Sequence, residues 1–438
     1  MTPPLNIAIA GLGTVGAGTV RLIQEHGALL AARANREIVI KAVSARDRGR
    51  DRGIDLSGID WEEDALALAT RPGIDAVVEL IGGAGGIAKD LVEAALGAGR
   101  HVVTANKALL AHHGTALARL AEDKGVSLRY EAAVAGGIPI VKALREGLAA
   151  NAVSRVYGIL NGTCNYILTT MRETGREFAD VLAEAQALGY AEADPGFDID
   201  GVDAAHKLAI LTALAFGTEI DFESVHMEGI RTVTADDIRF AEELGYRIKL
   251  LGIAERTDDG IEQRVHPCLV AHAAPIANVE GVYNAVVAEG DYVETTLYLG
   301  KGAGAGPTAS AVVADVMDVA RGDCVATFAI PAADLAPPHP ADLDKRVGAF
   351  YLCMTVRDEP GVMADITAVF RDEAISLESM LQRGRAPGEP VPVVLITHET
   401  GEAAMARALA RIRKLTAMTA PPRMIRIETF YHLDQKPL

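Results

Sequence analysis

One short glycine pattern constrains this chain more than any other feature. Ile7-Ala-Ile-Ala-Gly11-Leu-Gly13-Thr14-Val15-Gly16 sets GxGxxG directly behind an apolar strand and at the opening of a helix. Each glycine has a separate task. Gly11 permits the tight turn, Gly13 lets the backbone approach a pyrophosphate, and Gly16 allows helix and strand to pack closely. The helix that starts at Thr14 and Val15 offers free N–H groups and a positive dipole end to an anion. Further along, the apolar runs Ile38–Val43, Ala76–Ile81, His101–Thr104 and Leu128–Val134 alternate with helical patterns such as Gly16–Leu30 and Lys107–Lys124. Such alternation means a parallel sheet with right-handed crossovers, so residues 1–150 are expected to form a Rossmann-type dinucleotide-binding domain.

Beyond residue 150 the pattern changes. A strand, Val153–Leu160, leads into a long helical stretch from Cys164 to Phe216, broken around Gly189–Phe197. Strand-like segments follow, notably Gly290–Leu299, and residues 151–330 read as an α+β domain. Pro331-Ala-Ala-Asp-Leu-Ala-Pro-Pro-His-Pro340 opens a Pro-rich linker, 331–347. The remainder, 348–438, carries a strand (Phe350–Val356), a helix (Val362–Glu373), a strand pair, a helix (Glu402–Lys414) and a last strand, the pattern of a small α+β module. The whole is an α/β chain of three parts.

Bulk properties narrow the function. A net charge of −17 argues against nucleic acid, which requires a clustered positive field. The four cysteines lie far apart with no CxxC, so neither a disulfide framework nor a structural zinc site is expected. No signal peptide pattern and no apolar run of membrane-spanning length is present, which predicts a cytoplasmic protein without membrane partners.

Two regions carry chemistry. The second strand ends Ala42-Val-Ser44-Ala-Arg46-Asp47, where an acid would hold an NAD ribose; Ser44 and Arg46 suit the 2′-phosphate of NADP, with NAD as the alternative. Gly82–Gly86 and Thr104-Ala-Asn106-Lys107 both follow strands on the same sheet edge, where ligands of open α/β sheets lie. The richest stretch runs from Leu188 to Lys207 and gathers Glu192, Asp194, Asp198, Asp200 and Asp203 around a Pro-Gly break. Asp203 and Lys207 stand at i,i+4 on a helix that continues Leu-Ala-Ile-Leu-Thr-Ala-Leu-Ala-Phe, apolar almost all round and therefore buried. A buried lysine needs carboxylate partners and is a candidate acid whose pKa is tunable.

GLGTVG at 11–16, TANK at 104–107, EAAVAGGIPI at 131–140, NGTCNYIL at 161–168, the Glu192–Lys207 stretch and Gly302–Ser310 occur in order. Together they resemble the homoserine dehydrogenases across residues 5–325. The resemblance implies NAD(P)H-dependent reduction of L-aspartate 4-semialdehyde to L-homoserine, a step toward threonine, methionine and isoleucine. It implies that Lys207 is the general acid, that Glu192 and Asp203, with Asp198 nearby, bind the substrate ammonium group, and that Lys107 stands beside nicotinamide and substrate. Thr163 would lie near the substrate, and Gly189 and Gly304 near the nicotinamide end. A structural sodium ion is implied at Glu131, Val134, Gly136 and Ile138, and a homodimer or homotetramer through the 151–330 domain.

The last module, with Asp358-Glu-Pro-Gly361 between strand and helix, resembles an ACT domain. That resemblance implies an amino-acid effector, threonine first, and the linker suggests a module able to shift as a unit. A chain cut near Pro340 is therefore expected to keep dehydrogenase activity and lose any threonine response. Two rivals differ in class. An aldehyde dehydrogenase of the aspartate-semialdehyde type would need a nucleophilic cysteine, for which Cys164 is the candidate. A non-catalytic nucleotide or amino-acid sensor would have no use for a proton donor at Lys207.

Overall fold

The computed structural model describes residues 2–383 and 388–430. The first stretch contains β1 Leu5–Ala10, α1 Thr14–Ala34, β2 Ile38–Ser44, β3 Asp60–Trp61, α2 Ala67–Thr70 and β4 Ala76–Glu79. It continues with α3 Ile87–Gly97, β5 His101–Thr104, α4 Lys107–Asp123 and β6 Leu128–Arg129. The strands form one parallel sheet in the order β3-β2-β1-β4-β5-β6. The strand order reverses between β1 and β4, and the crevice at such a switch point is where these sheets take their ligands.

Two strands end sooner than their apolar runs suggest. β4 stops at Glu79 rather than Ile81, because Glu79 Oε1 accepts the N–H groups of Ile81 and Gly82 at 2.7 and 3.0 Å. β6 stops at Arg129 rather than Val134, because the Glu131 N–H donates to Asp315 Oδ2 at 2.7 Å and a 3-10 turn, Glu131–Ala133, begins there.

The middle of the chain begins with α5 Ile140–Lys142, which runs on into a π-helical turn, Ala143–Gly147, and β7 Val153–Ile159. Four helices come next: α6 Gly162–Thr174, α7 Phe178–Ala187, α8 Gly196–Ile199 and α9 Val202–Phe216. The helical stretch thus breaks three times: Gly175 (φ 69°) terminates α6 before the 189–197 segment is reached, and Gly201 (φ 89°) separates α8 from α9. Then come β8 His226–Met227, α10 Ala235–Glu243, β9 Tyr246–Thr257, β10 Gly260–Ala271, β11 Tyr283–Gly290 and β12 Glu294–Lys301. The expected strand at Gly290–Leu299 straddles the hairpin between the last two, where Glu294 adopts φ 59°.

Helix α11, Ala305–Arg321, follows the middle strands in sequence but returns to the nucleotide domain. Its Val312, Val313 and Val316 share a core with Ile7, Ile9, Val20 and Ile23. Gly18 makes the close approach to α1 feasible, since a Cβ there would lie 2.8 Å from the Ala305 carbonyl oxygen. The nucleotide-domain core is therefore not confined to residues 1–150.

The C-terminal module comprises β13 Val347–Arg357, α12 Val362–Asp372, β14 Leu377–Gln382, β15 Pro390–Thr397, β16 Thr400–Gly401, α13 Glu402–Ile412 and β17 Arg423–Glu428. Phe350, Leu352 and Met354 of β13 face its helices, while Tyr351 and Cys353 face the middle domain's core. β17 pairs with β10, so one sheet runs β12-β11-β7-β9-β10-β17-β13-β15-β14 across both units. The Pro-rich stretch is no free tether either. Ala332 and Leu335 are buried, Ala336 bridges to Thr218, and Pro340 bridges to Ile261. Shared sheet hydrogen bonds and buried apolar area correct the expectation of a module that shifts freely on a linker. Among the described residues, no helix is long and apolar enough to cross a membrane.

Candidate active site

The glycine turn has the shape its sequence demands. Gly11 has φ 98°, and a Cβ there would stand 2.4 Å from the Leu80 carbonyl oxygen; at Gly16 a Cβ would stand 2.0 Å from that of Gly11. Gly13 has no heavy atom within 4 Å of its Cβ position, so the space above the first turn is open. Gly13 is also the N-cap of α1 and supplies no side-chain cap, leaving the N–H groups at Thr14 and Val15 for an anion. On the adenosine side, Arg46 is exposed and has no ion-pair partner among the described residues. Its neighbour Arg52 is committed: Nε donates to the Leu12 carbonyl at 3.1 Å and Nη1 to that of Arg50 at 2.7 Å, tying the loop to the glycine turn.

At the sheet edge Glu79 is fully buried and organises the start of α4. Its Oε2 accepts the Thr104 hydroxyl at 2.6 Å, and that hydroxyl accepts the Asn106 N–H at 3.0 Å. Asn106 Oδ1 then caps α4 by accepting the Leu109 N–H at 3.1 Å, and Nδ2 donates to the Gly83 carbonyl at 2.8 Å. Lys107 is consequently the first residue of a capped helix, held at the edge of the cofactor crevice.

From the other domain comes α9. Gly201 (φ 89°) turns the chain into it, and Asp203 lies in its first turn, where the dipole favours a carboxylate. Asp203 and Lys207 are buried, as the apolar helix predicts. Lys207 Nζ donates to Asp203 Oδ2 and to the Leu160 carbonyl, both at 2.7 Å. Lys107 Nζ reaches the other oxygen, Asp203 Oδ1, at 3.0 Å. Asn161 Nδ2 bridges Asp203 Oδ2 and Asp198 Oδ1, each at 2.8 Å. One carboxylate thus serves two lysines across the domain boundary. Burial alone would raise the Asp203 pKa, but Lys207 and Lys107 hold the carboxyl well below the usual range. Burial lowers the Lys207 pKa and Lys107 adds to it, against the opposing pull of Asp203. Burial raises Asp198.

The other expected residues are distributed around this centre. Thr163 donates its hydroxyl to the Tyr190 carbonyl at 2.9 Å, and Gly189 (φ 75°) ends the turn just before it. Glu192 stands exposed on the next loop, with its backbone carbonyl accepting from Gln186 Nε2 at 2.9 Å. Gly304 (φ 118°) caps α11, and its neighbour Gly302 packs under Gly136. Glu131, Val134, Gly136 and Ile138 form one buried loop, with Ala135 and Gly136 at φ 55° and 52°. Glu131 Oε1 and Oε2 accept the N–H groups of Val141 and Lys142, both at 2.9 Å, yet burial and the adjacent Asp315 push its carboxyl up to about 7. Cys164 is fully buried with its thiol pKa raised by burial, and it donates to the Asp198 carbonyl at 3.3 Å, which removes the nucleophile that the aldehyde-dehydrogenase rival requires.

Glu79, Leu160 and Asn161 do not stand out in the sequence as site residues. An acid closing an otherwise apolar strand is a visible signal for Glu79. A main-chain acceptor such as Leu160 leaves no signal at all.

A glycine turn of the dinucleotide-binding kind and a buried lysine–carboxylate pair at the domain boundary are the features of a nicotinamide-dependent oxidoreductase. Profiles of the homoserine dehydrogenase NAD-binding domain, the homoserine dehydrogenase domain and the ACT domain match residues 11–131, 139–317 and 352–417. The homoserine dehydrogenase of Neisseria gonorrhoeae is 46% identical, covering 98% of this chain and 99% of the relative; that of Bacillus subtilis is 37% identical, covering 97% and 98%. The crystal structure of a homoserine dehydrogenase from Thiobacillus denitrificans superposes with TM-score 0.92 at 47% identity, covering 97% of this chain and 98% of that one. A hyperthermophilic archaeal homoserine dehydrogenase in complex with NADPH gives TM-score 0.62 at 27% identity, over 75% of this chain and 99% of that one. The chain belongs to the homoserine dehydrogenase family, NAD(P)-dependent oxidoreductases that interconvert L-aspartate 4-semialdehyde and L-homoserine.

Proposed function

We propose that Lys207 is the proton donor of this reaction, and one count carries the assignment. An ammonium has three hydrogens; the Asp203 carboxylate and the Leu160 carbonyl take two of those on Lys207, which leaves one for a substrate oxygen. When bound, the nicotinamide supplies the hydride to the aldehyde carbon. Lys207 Nζ–H gives its proton to the carbonyl oxygen as the alcohol forms, and burial eases that loss by lowering the lysine pKa. In the oxidation of homoserine the neutral amine takes the alcohol proton back. Asp203 stays ionised throughout and holds both lysines in place. Lys107 gives one of its three hydrogens to Asp203 and has others for the substrate carboxylate, while Asp198, Asp203 and Glu192 supply the acids for its ammonium group, with Thr163 closing the loop. The reaction supports a role in threonine, methionine and isoleucine biosynthesis.

For the cofactor we assign Gly11, Gly13, Thr14, Val15 and Gly16 to the pyrophosphate, and Lys107, Gly189 and Gly304 to the nicotinamide end. The unpartnered Arg46 supports a preference for NADP over NAD. A sodium ion suits the buried 131–138 loop. The carbonyl oxygens of Val134 and Gly136 accept no hydrogen bond from the described residues, and unsatisfied buried carbonyls are what a hard cation takes. Exposed Tyr292, Leu297 and Leu299 at the β12 edge support association with a second copy. The ACT module supports amino-acid regulation, with threonine first.

Lys207→Arg tests the proton donor directly. It keeps the charge beside Asp203 but holds its proton too tightly to release it near neutral pH. Homoserine oxidation should collapse while the Kd for NADPH stays; turnover at the wild-type level would remove Lys207 from this role.

A further inference from the structure

Two residues, Leu160 and Asn161, join β7 to α6, and both reach the reacting centre. The Leu160 carbonyl takes one hydrogen of Lys207. The Asn161 side chain has no step in the chemistry above, yet it is buried beside it. Its Oδ1 accepts the Cys164 N–H at 2.8 Å and so caps α6. That contact fixes which way the amide faces, oxygen to the helix and nitrogen to the acids. Turned over, the amide would set its oxygen against two carboxylates. Nδ2 has two hydrogens and spends both, one on Asp203 Oδ2 and one on Asp198 Oδ1, each at 2.8 Å.

A helix cap needs only the oxygen, and serine or aspartate caps as well as asparagine. What asparagine adds is the NH2 group, the part that stands between the two acids. Burial and the neighbouring Asp203 charge both raise the Asp198 pKa, and two carboxylates so placed tend to share a proton. Asn161 donates to both and favours the charged form of each. It also divides their work. Asp203 has both oxygens engaged, Oδ2 by Lys207 and Asn161 and Oδ1 by Lys107. Asp198 is half-buried, with Oδ1 on Asn161, and its Oδ2 accepts no hydrogen bond from the described residues. Asp198 is therefore the acid of the pair with an oxygen to spare for a substrate ammonium group.

We propose that Asn161 is a positioning residue of the reaction, its amide holding two like charges side by side so that Asp198 serves the substrate and Asp203 the lysines. The proposal rests on the roles given above to Lys207 and Asp198 and supplies the group that makes them compatible. The charges that face Lys207 are Asp203 from its own helix, Lys107 from α4 and Asp198 from α8. The His206 ring, held neutral by burial, and the buried Cys164 thiol complete its surroundings.

Asn161→Ser and Asn161→Asp in the full-length protein separate cap from bridge, since both keep an oxygen for the Cys164 N–H. Asn161→Ser should unfold near the wild-type temperature and bind NADPH with unchanged Kd. Its KM for homoserine should rise about tenfold, the worth of a hydrogen bond to a charged group. Asn161→Asp sets a third carboxylate beside Lys207, which should carry the alkaline fall of semialdehyde reduction about one pH unit or more higher. Asn161→Ser leaves Asp203 Oδ2 to Lys207 alone and should move that limb the same way by less. A cap alone moves neither reading. If the KM of Asn161→Ser or the pH limb of both variants stays at the wild-type value, the amide does not serve both acids and the proposal falls. Wild-type turnover in Lys207→Arg would remove the proton donor itself, and this proposal with it. An inactive Lys207→Arg beside unaffected Asn161 variants would remove this proposal alone.

Discussion

Two buried ionic clusters hold this molecule together, and they are built on opposite principles. At the seam with the ACT module, Glu428 sits between Arg264 (3.2 Å) and Arg346 (2.7 Å), Arg264 also contacts Glu262, and Arg426 bridges Glu402 and Glu228. Three guanidiniums meet these four carboxylates and Glu255 there, and Arg426 grips Glu402 through both Nε and Nη2. Near the cofactor crevice, two lysines converge on the single carboxylate of Asp203; Lys207 is buried, while Lys107 is half-buried and partly open to the crevice. The seam has at least one carboxylate for every guanidinium and acts as a weld, although Arg264 Nε and Arg346 Nη1 make no hydrogen bond among the described residues. The lysine pair is short of anions, and the group that would balance it is a substrate carrying its own carboxylate. Burial of charge is common to both, so burial alone does not mark a functional site; the ratio of cations to anions separates the two.

Removing one partner should affect the two clusters differently. Glu428→Ala strands Arg264 and Arg346 in a buried place, and the loss is expected to be about 3–5 kcal/mol of unfolding free energy. Denaturant titration would show it, whereas activity per folded molecule should survive. A stability close to the wild type would mean that the seam is not a weld. Lys207→Ala should do the reverse, cutting kcat by about 10²-fold with cofactor affinity nearly unchanged. A purified variant that turns over normally would equate the two clusters.

The pH dependence sharpens the same contrast. Reduction of the semialdehyde needs Lys207 protonated, and its lowered pKa brings the alkaline fall in rate below the pH of an ordinary lysine. Homoserine oxidation needs the free amine, so its rate should rise through that same interval. Lys107→Met removes a neighbouring positive charge, which raises the Lys207 pKa and moves both limbs to higher pH. Profiles of kcat/KM in each direction would reveal this, and an unmoved limb would detach Lys107 from the cluster. The smallest effect concerns a cation with no ion-pair partner among the described residues. Arg46→Ala should raise the KM for NADPH roughly tenfold, about the worth of one charge-assisted hydrogen bond, with little change for NADH. Equal shifts would leave Arg46 a solvated loop residue.

Much of this is legible in the amino-acid sequence. The glycine turn needs three glycines at set spacing behind an apolar strand, and all of its constraints are local. The Asp203–Lys207 pair is legible because i,i+4 spacing and an all-round apolar helix together forecast burial with a partner. The hidden part depends on long-range pairing. Nothing near Glu428 announces that β17 will lie beside β10, and nothing in Pro331–Pro340 tells a pinned segment from a tether. Glu192 is read among the acids from its sequence neighbours, while its exposure on the loop after α7 is visible only in the fold.

The return of α11 to the nucleotide sheet bears on how the protein is made. A nascent chain emerging from the ribosome completes all six parallel strands early, yet the face under α1 stays uncovered until residues 305–321 emerge. Val20, Ile23 and their neighbours must wait through the synthesis of the entire middle domain for the valines of α11. During that interval the exposed apolar face is the natural target for chaperones, and the two domains become interdependent before either is finished.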